Sequence, residues 1–251
     1  MSSVAEKSVD RPVAAAMPRR RLAGVVQGVA IALGFVLMLG GFALIAVDYR
    51  PYSIPTASMA PTVQIGDTVL ARKVDGGAVG RGDVVIFRDP LWGGELMVKR
   101  VVAVGGDKVA CCDGQNRLTV NGTVIDEPYL SGHGVQGDDF STEVPAGRLF
   151  LLGDNRLGSL DSRTHLDAAG GSVPADEVIG RVEATVLPFG RVGLLGRTVS
   201  FDALGTGKTS PEGPLRPAAY ATVGGAALIL LASAAGGVAA LVRKVGRRRS
   251  R

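Results

Sequence analysis

The sequence predicts a mainly β protein, an antiparallel β barrel or set of packed sheets held between two transmembrane helices. Three observations predict it. Leu22 to Val47 and Pro217 to Val242 are each 26 residues long and carry no charge, beyond the roughly 20 residues a helix needs to cross a hydrocarbon core. Between them lie short Val-, Ile- and Leu-rich runs bounded by Gly, Asp and Pro, the pattern of strands. No run in that region sustains the apolar period of an amphipathic helix.

Taken in order, residues 1–21 form a Ser-, Ala- and Pro-containing tail without periodicity, expected to be disordered. The run 22–47 is too long for the roughly 7–15-residue apolar region of a cleavable secretory signal, and no small-x-small site follows it. Strands are expected within 67–74, 82–88, 96–104, 117–126, 148–153 and 179–189. Asn121-Gly122 between LTV and TVI is a two-residue hairpin signal. The β domain is expected over 48–202, with a polar surface loop or hairpin tip at 131–147. A linker follows over 203–216, then the second span over 217–242 and a basic tail over 243–251.

The pI of 9.5 suggests nucleic acid until the charges are placed. Residues 1–21 carry five Lys/Arg against two acids, and 243–251 carry six against none, so the remainder has 17 basic and 21 acidic residues. The positive excess flanks the apolar runs. By the positive-inside rule both ends are cytoplasmic and the β domain is extracytoplasmic, facing a membrane lipid surface rather than nucleic acid. Gly207-Lys208-Thr209 imitates the end of a phosphate-binding loop, but Asp202 stands where that pattern requires glycine. Cys111 and Cys112 are adjacent and too few for a four-ligand zinc site. A vicinal disulfide and two free thiols are both open readings.

Hydroxyls crowd the stretch YSIPTASMAPTV at 52–63, with Ser58 between Pro55 and Pro61. A serine becomes a nucleophile when a neighbouring base takes its proton. The chain has two histidines, His133 in the Gly-rich loop and His165 after a Ser/Asp/Arg-rich stretch. The alternative base is a lysine. Lys73, beside Arg72, reads as solvated. Lys99 shares a strand face with Met97, Val101 and Ala103, where loss of water would lower its pKa; an edge-strand lysine reaching solvent is the bland alternative. A third cluster, GDNRLGSLDSR at 153–163, is denser in Asp and Arg than a turn requires.

Together these segments resemble the type I signal peptidases of bacteria in order and spacing. IPTASMAPT (54–62) resembles the nucleophile box, and GDTVLARK (66–73) the strand after it. RGDVVIF (81–87) with VKRVVAVGGDKV (98–109) resembles the lysine box, and GDNRLGSLDSR the last. The likeness covers roughly residues 50–190, and the two-span layout is closest to high-G+C Gram-positive members. Ala57 stands where many members have Gly, and Gly105 where a proline is common.

The resemblance implies a membrane-bound serine endopeptidase of the bacterial cell membrane that cuts signal peptides from secretory preproteins after small-x-small sites. It needs no metal and no cofactor. Ser58 would be the nucleophile and Lys99 the general base. Ser159 would orient the lysine, and Asp161 with Arg163 would form a supporting salt bridge. Thr56 would join the Ser58 backbone N–H in the oxyanion hole. Ten residues separate Val47 from Ser58, a reach of at most about 35 Å. The rival readings are a Ser58–His165 hydrolase and a non-catalytic, membrane-anchored domain that binds extracytoplasmic peptides.

Overall fold

The computed structural model describes residues 19–130, 139–205 and 213–249. His133, Lys208, residues 131–138 of the expected loop and residues 206–212 of the expected linker lie outside them. The chain divides into a helical unit, from residues up to 43 and from 217 onward, and a β unit over 44–216.

Two helices dominate the first unit, α1 (Arg19–Asp48) and α2 (Leu215–Arg249). Both are long and apolar enough to cross a membrane, over Arg21–Asp48 and Leu215–Val242. Their outward side chains, Val36 and Leu230 among them, are apolar and exposed, which suits lipid rather than water. The helices meet through small residues. A Cβ added at Gly34 would lie 2.8 Å from the Gly225 carbonyl, and one at Gly225 would lie 2.5 Å from the Gly34 carbonyl. Such backbone approach is what holds apolar helices together where hydrophobic burial offers nothing. Gln27, the one strongly polar side chain of the first apolar run, lies against Gly236.

In the β unit, β1 (Tyr49–Ser53), β2 (Thr68–Arg72), β3 (Val84–Phe87) and β4 (Met97–Val104) come first. A small sheet follows, from β5 (Lys108–Cys111), β6 (Thr119–Val120), β7 (Thr123–Val124) and β8 (Phe140–Glu143). Then come β9 (Arg148–Leu152), β10 (Val173–Pro174), β11 (Val178–Leu187) and β12 (Gly193–Leu194). The larger sheet runs β1-β2-β11-β3-β4-β9-β10, with β12 on β11; the smaller runs β7-β6-β5-β8. Every pairing is antiparallel. The expected hairpin is present: Asn121 (φ 53°) and Gly122 (φ 78°) join β6 to β7, positive at both turn positions as a type I′ turn requires. Helical structure in the β unit beyond the end of α1 and the start of α2 is confined to 3₁₀ turns.

Four apolar clusters fill the unit, the smallest formed by Tyr49, Ala184 and Leu215. Phe150, Leu152 and Phe201 pack with the small sheet. Phe87, Trp92 and Leu151 form a second cluster, and Ile54, Met59, Val63 and Ile86 a third. Alternation along β4 does not persist to Ala103. A bulge between Val101 and Ala103 puts Val101 in the second cluster, while Val102 and Ala103 both enter the first. Cys111 and Cys112 are joined as a vicinal disulfide, which decides between the two open readings of that pair.

Charge is also buried. Arg100 makes a two-bond pair with Asp154 (2.8 and 2.6 Å), donates to the Gly82 carbonyl at 2.9 Å and lies 4.1 Å from the centre of the Tyr129 ring. Arg156 pairs with Glu127, whose carboxylate also accepts from Tyr129. Removing one partner from a buried pair strands the other charge, at a cost of about 3–5 kcal/mol. Arg100→Leu should lower unfolding free energy by about that much, read in detergent from the fluorescence of the single tryptophan, Trp92. Arg100→Leu combined with Asp154→Leu should recover much of the loss.

Candidate active site

Ser58 sits where the chain leaves β1 and crosses toward β2. Hydrogen bonds from Ala60 N to Ala57 O (3.0 Å) and Val63 N to Met59 O (3.0 Å) close the turn. Met59 and Val63 are fully buried and fasten it to the third apolar cluster. Ser58 is thereby held by a packed turn rather than a free loop. The segment after β9 holds it from the other side. Asn155 donates from its backbone N–H to the Ser58 carbonyl (3.0 Å) and from Nδ2 to the Ala57 carbonyl (3.2 Å). Gly153 passes so close that a Cβ there would lie 2.4 Å from the Ser58 carbonyl oxygen and 2.2 Å from Ser159 Oγ.

Lys99 reaches this turn from β4. That strand lies between β3 and β9, but its pairing with β9 starts only at Arg100, so Lys99 is paired on the β3 side alone; it is only 4% exposed. Its Nζ is 3.0 Å from Ser58 Oγ and donates to the Val98 carbonyl at 3.1 Å. Among the described residues it makes no ion pair. Burial lowers its pKa to about 8, against the opposing pull of the Asp161 and Asp154 charges. A proton-accepting amine therefore rests beside a hydroxyl, the arrangement a serine nucleophile with a lysine base needs.

Thr56 Oγ1 is 3.3 Å from Ser58 Oγ. Asp161 and Arg163 form a two-bond pair at 2.9 Å, and the same carboxylate accepts from the Gly153 N–H at 3.0 Å. The Arg163 guanidinium also donates to the Arg156 carbonyl at 2.7 Å. Ser159 is less settled. Its Oγ is buried but has no hydrogen-bond partner among the described residues, and no bond joins it to Lys99. His165 is engaged elsewhere, its ring stacked on Trp92 at 4.5 Å between centroids, and no hydrogen bond links it to Ser58.

A cleft of about 530 Å³ opens beside the pair. Tyr52, Ile54, Thr56 and Met59 line it with Ile86, Glu95, Met97, Val98 and Leu160. Sequence reasoning had no signal for Asn155 as the clamp on the Ser58 turn, nor for Thr62 and Arg100 as the partners of Asp154. Asn155 and Asp154 belong to a cluster that composition singled out, but their contacts lie 54 to 98 residues away in the chain.

Comparison with known proteins gives a consistent result. A family model described as signal peptidase, peptidase S26, matches residues 24–187. Signal peptidase I U of Bacillus subtilis is 35% identical over 162 residues, covering 60% of this chain and 82% of that protein. Signal peptidase I of Mycobacterium tuberculosis is 31% identical over 239 residues, covering 74% of this chain and 79% of that one.

Lys99 should titrate near pH 8. Reductive ¹³C-methylation followed by NMR should show one lysine signal with a midpoint there, absent in Lys99→Ala. Gly153→Ala should push the Ser58 turn away from Lys99 and slow acylation of Ser58 by a serine-directed reagent at least about tenfold, mass spectrometry giving the labelled fraction.

Proposed function

The chain belongs to the signal peptidase family, peptidase S26, and from that premise we propose that it cuts signal peptides from secretory preproteins with Ser58 as nucleophile and Lys99 as base. It is a membrane-anchored serine peptidase. The observation that supports these roles best is the 3.0 Å contact between Lys99 Nζ and Ser58 Oγ inside a site that removes water from the amine.

In this reading neutral Lys99 takes the Ser58 proton as Oγ attacks the carbonyl of the residue before the cut. The oxyanion that forms is met by the Ser58 backbone N–H, which has no partner among the described residues, and by the Thr56 hydroxyl. Donors already aimed where charge develops often supply the largest share of catalysis. Protonated Lys99 then gives its proton to the leaving amine. An acyl-enzyme on Ser58 remains, and water activated by Lys99 releases it. Ser159, its hydroxyl buried and unused, would orient the amine during these transfers.

Small-x-small cleavage sites suit the cleft. Ile54, Met59, Ile86 and Met97 wall it with apolar groups, which favours short side chains near the cut. The substrate would lie extended against the Met97–Lys99 edge, adding a strand to the sheet. The basic flanks of the two spans support cytoplasmic termini and an extracytoplasmic β unit in contact with membrane lipid.

Purified full-length protein in detergent should cut a peptide containing Ala-x-Ala after the second alanine. Ser58→Ala and Lys99→Ala should each lose about 10³-fold or more in kcat/KM, and His165→Ala should retain activity. Because only the neutral amine accepts a proton, activity should rise with pH through a midpoint near 8. Full cleavage by Lys99→Ala would overturn the assignment of the base.

A further inference from the structure

The cleft contains a charge that the proposed chemistry does not use. Of its lining residues only Lys99 and Glu95 are ionisable to a charge at neutral pH. Lys99 must be neutral to act as a base, so in the working enzyme Glu95 is the sole formal charge facing the cleft. It is exposed and makes no ion pair or hydrogen bond among the described residues. Nothing among the described residues neutralises it.

Glu95 is also firmly placed. The 3₁₀ turn Pro90–Trp92 is capped by Asp89, whose carboxylate accepts from Leu91 N at 2.7 Å. Trp92 is buried between Phe87, edge-on at 5.4 Å, and the stacked His165. Gly93 (φ 91°) and Gly94 (φ 71°) then reverse the chain, Gly94 N donating to Asp89 O at 2.9 Å. Glu95 follows at once and leads into β4.

Two segments wall the cleft, 52–56 running toward Ser58 and 95–98 running toward Lys99. Both converge on the contact between Ser58 and Lys99, so Glu95 marks the far end of the second wall. Four residues of extended chain separate it from Lys99, about 13 Å at ~3.3 Å per residue. An extended substrate has the same rise. If its scissile carbonyl meets Ser58 and its upstream residues fill the apolar cleft, the fourth or fifth residue before the cut comes level with Glu95.

We propose that Glu95 is a specificity-determining residue, favouring substrates with a basic side chain at the fourth or fifth position before the cut and disfavouring acidic ones there. This rests on the signal-peptide-cleaving reading and adds a determinant separate from the apolar pockets nearest the cut. The carboxylate is solvated, so its effect is modest and sensitive to salt.

The test uses full-length protein in detergent and Ala-x-Ala peptides carrying Lys, Gln or Glu at the fourth or the fifth upstream position. The kcat/KM of wild type, Glu95→Gln and Glu95→Lys is compared at about 20 mM and about 500 mM salt. Wild type should prefer Lys over Glu by about 5–10-fold at one of the two positions at low salt, and less at high salt. Glu95→Gln should flatten that ratio and Glu95→Lys should invert it. Each ratio is taken within one variant, so partial loss of folding cancels. Equal cleavage of all peptides by wild type, or a preference that survives in Glu95→Gln, overturns the role of Glu95 while leaving the peptidase reading standing. Failure of wild type to cut any of them overturns both.

Discussion

A lysine amine withdrawn from water and set against a hydroxyl, with no carboxylate touching it, is the constraint on which the β unit depends. Burial makes the ammonium unfavourable and brings its pKa to about 8. Two buried carboxylates, Asp161 and Asp154, are close enough to pull in the other direction. Either one in contact with Lys99 would hold the proton on the amine and disable it as the proposed base. Both are instead committed elsewhere. Asp161 is taken by Arg163 and the Gly153 N–H, and Asp154 by Arg100 and the Thr62 hydroxyl. The two arginines thus hold both carboxylates away from Lys99.

The same commitments hold Ser58, the proposed nucleophile. Residues 153–155 follow β9 and stand between the Ser58 turn and the carboxylates. Gly153 gives the space, Asn155 gives two hydrogen bonds, and Asp154 anchors the segment to β4 through Arg100. The unpartnered Ser159 hydroxyl is the one loose part of this assembly. A buried polar atom without a partner costs about 1–3 kcal/mol, and such costs concentrate at working sites.

Much of this was legible in the sequence, and the exceptions have physical reasons. The strands rich in Val, Ile and Leu announced themselves, as did the Asn121-Gly122 turn, because burial on both faces or a required positive φ leaves a residue-level mark. β1 (YRPYS) and β8 (FSTE) left none. Each is short and mixed in polarity, and each is defined by the partner it pairs with. The centrality of β4 was likewise hidden, since whether Lys99 lies on an edge is decided by β9, about fifty residues away. Ser58 and Lys99 stand 41 residues apart, and only the likeness of four ordered segments to one family tied them together. Glu95 carried no signal because its importance comes from the turn that aims it.

The place proposed for the substrate rests on how β9 ends. β4 pairs with β3 along Met97–Arg100, but its pairing with β9 begins only at Arg100 opposite Leu152. Beyond Leu152 the chain leaves the sheet, because the Gly153 N–H goes to Asp161 and the Asn155 N–H goes to the Ser58 carbonyl. The other edge of Met97–Lys99 therefore has no strand beside it among the described residues, and it faces the cleft. Backbone groups on such an edge need water or another chain to satisfy them. An extended peptide supplies what β9 withholds, and it does so beside the lysine and the serine. The departure of β9 thus clamps the Ser58 turn and leaves open the edge beside Lys99 where the proposed substrate would lie, so a change that extended β9 by two residues would cover that edge by completing the sheet.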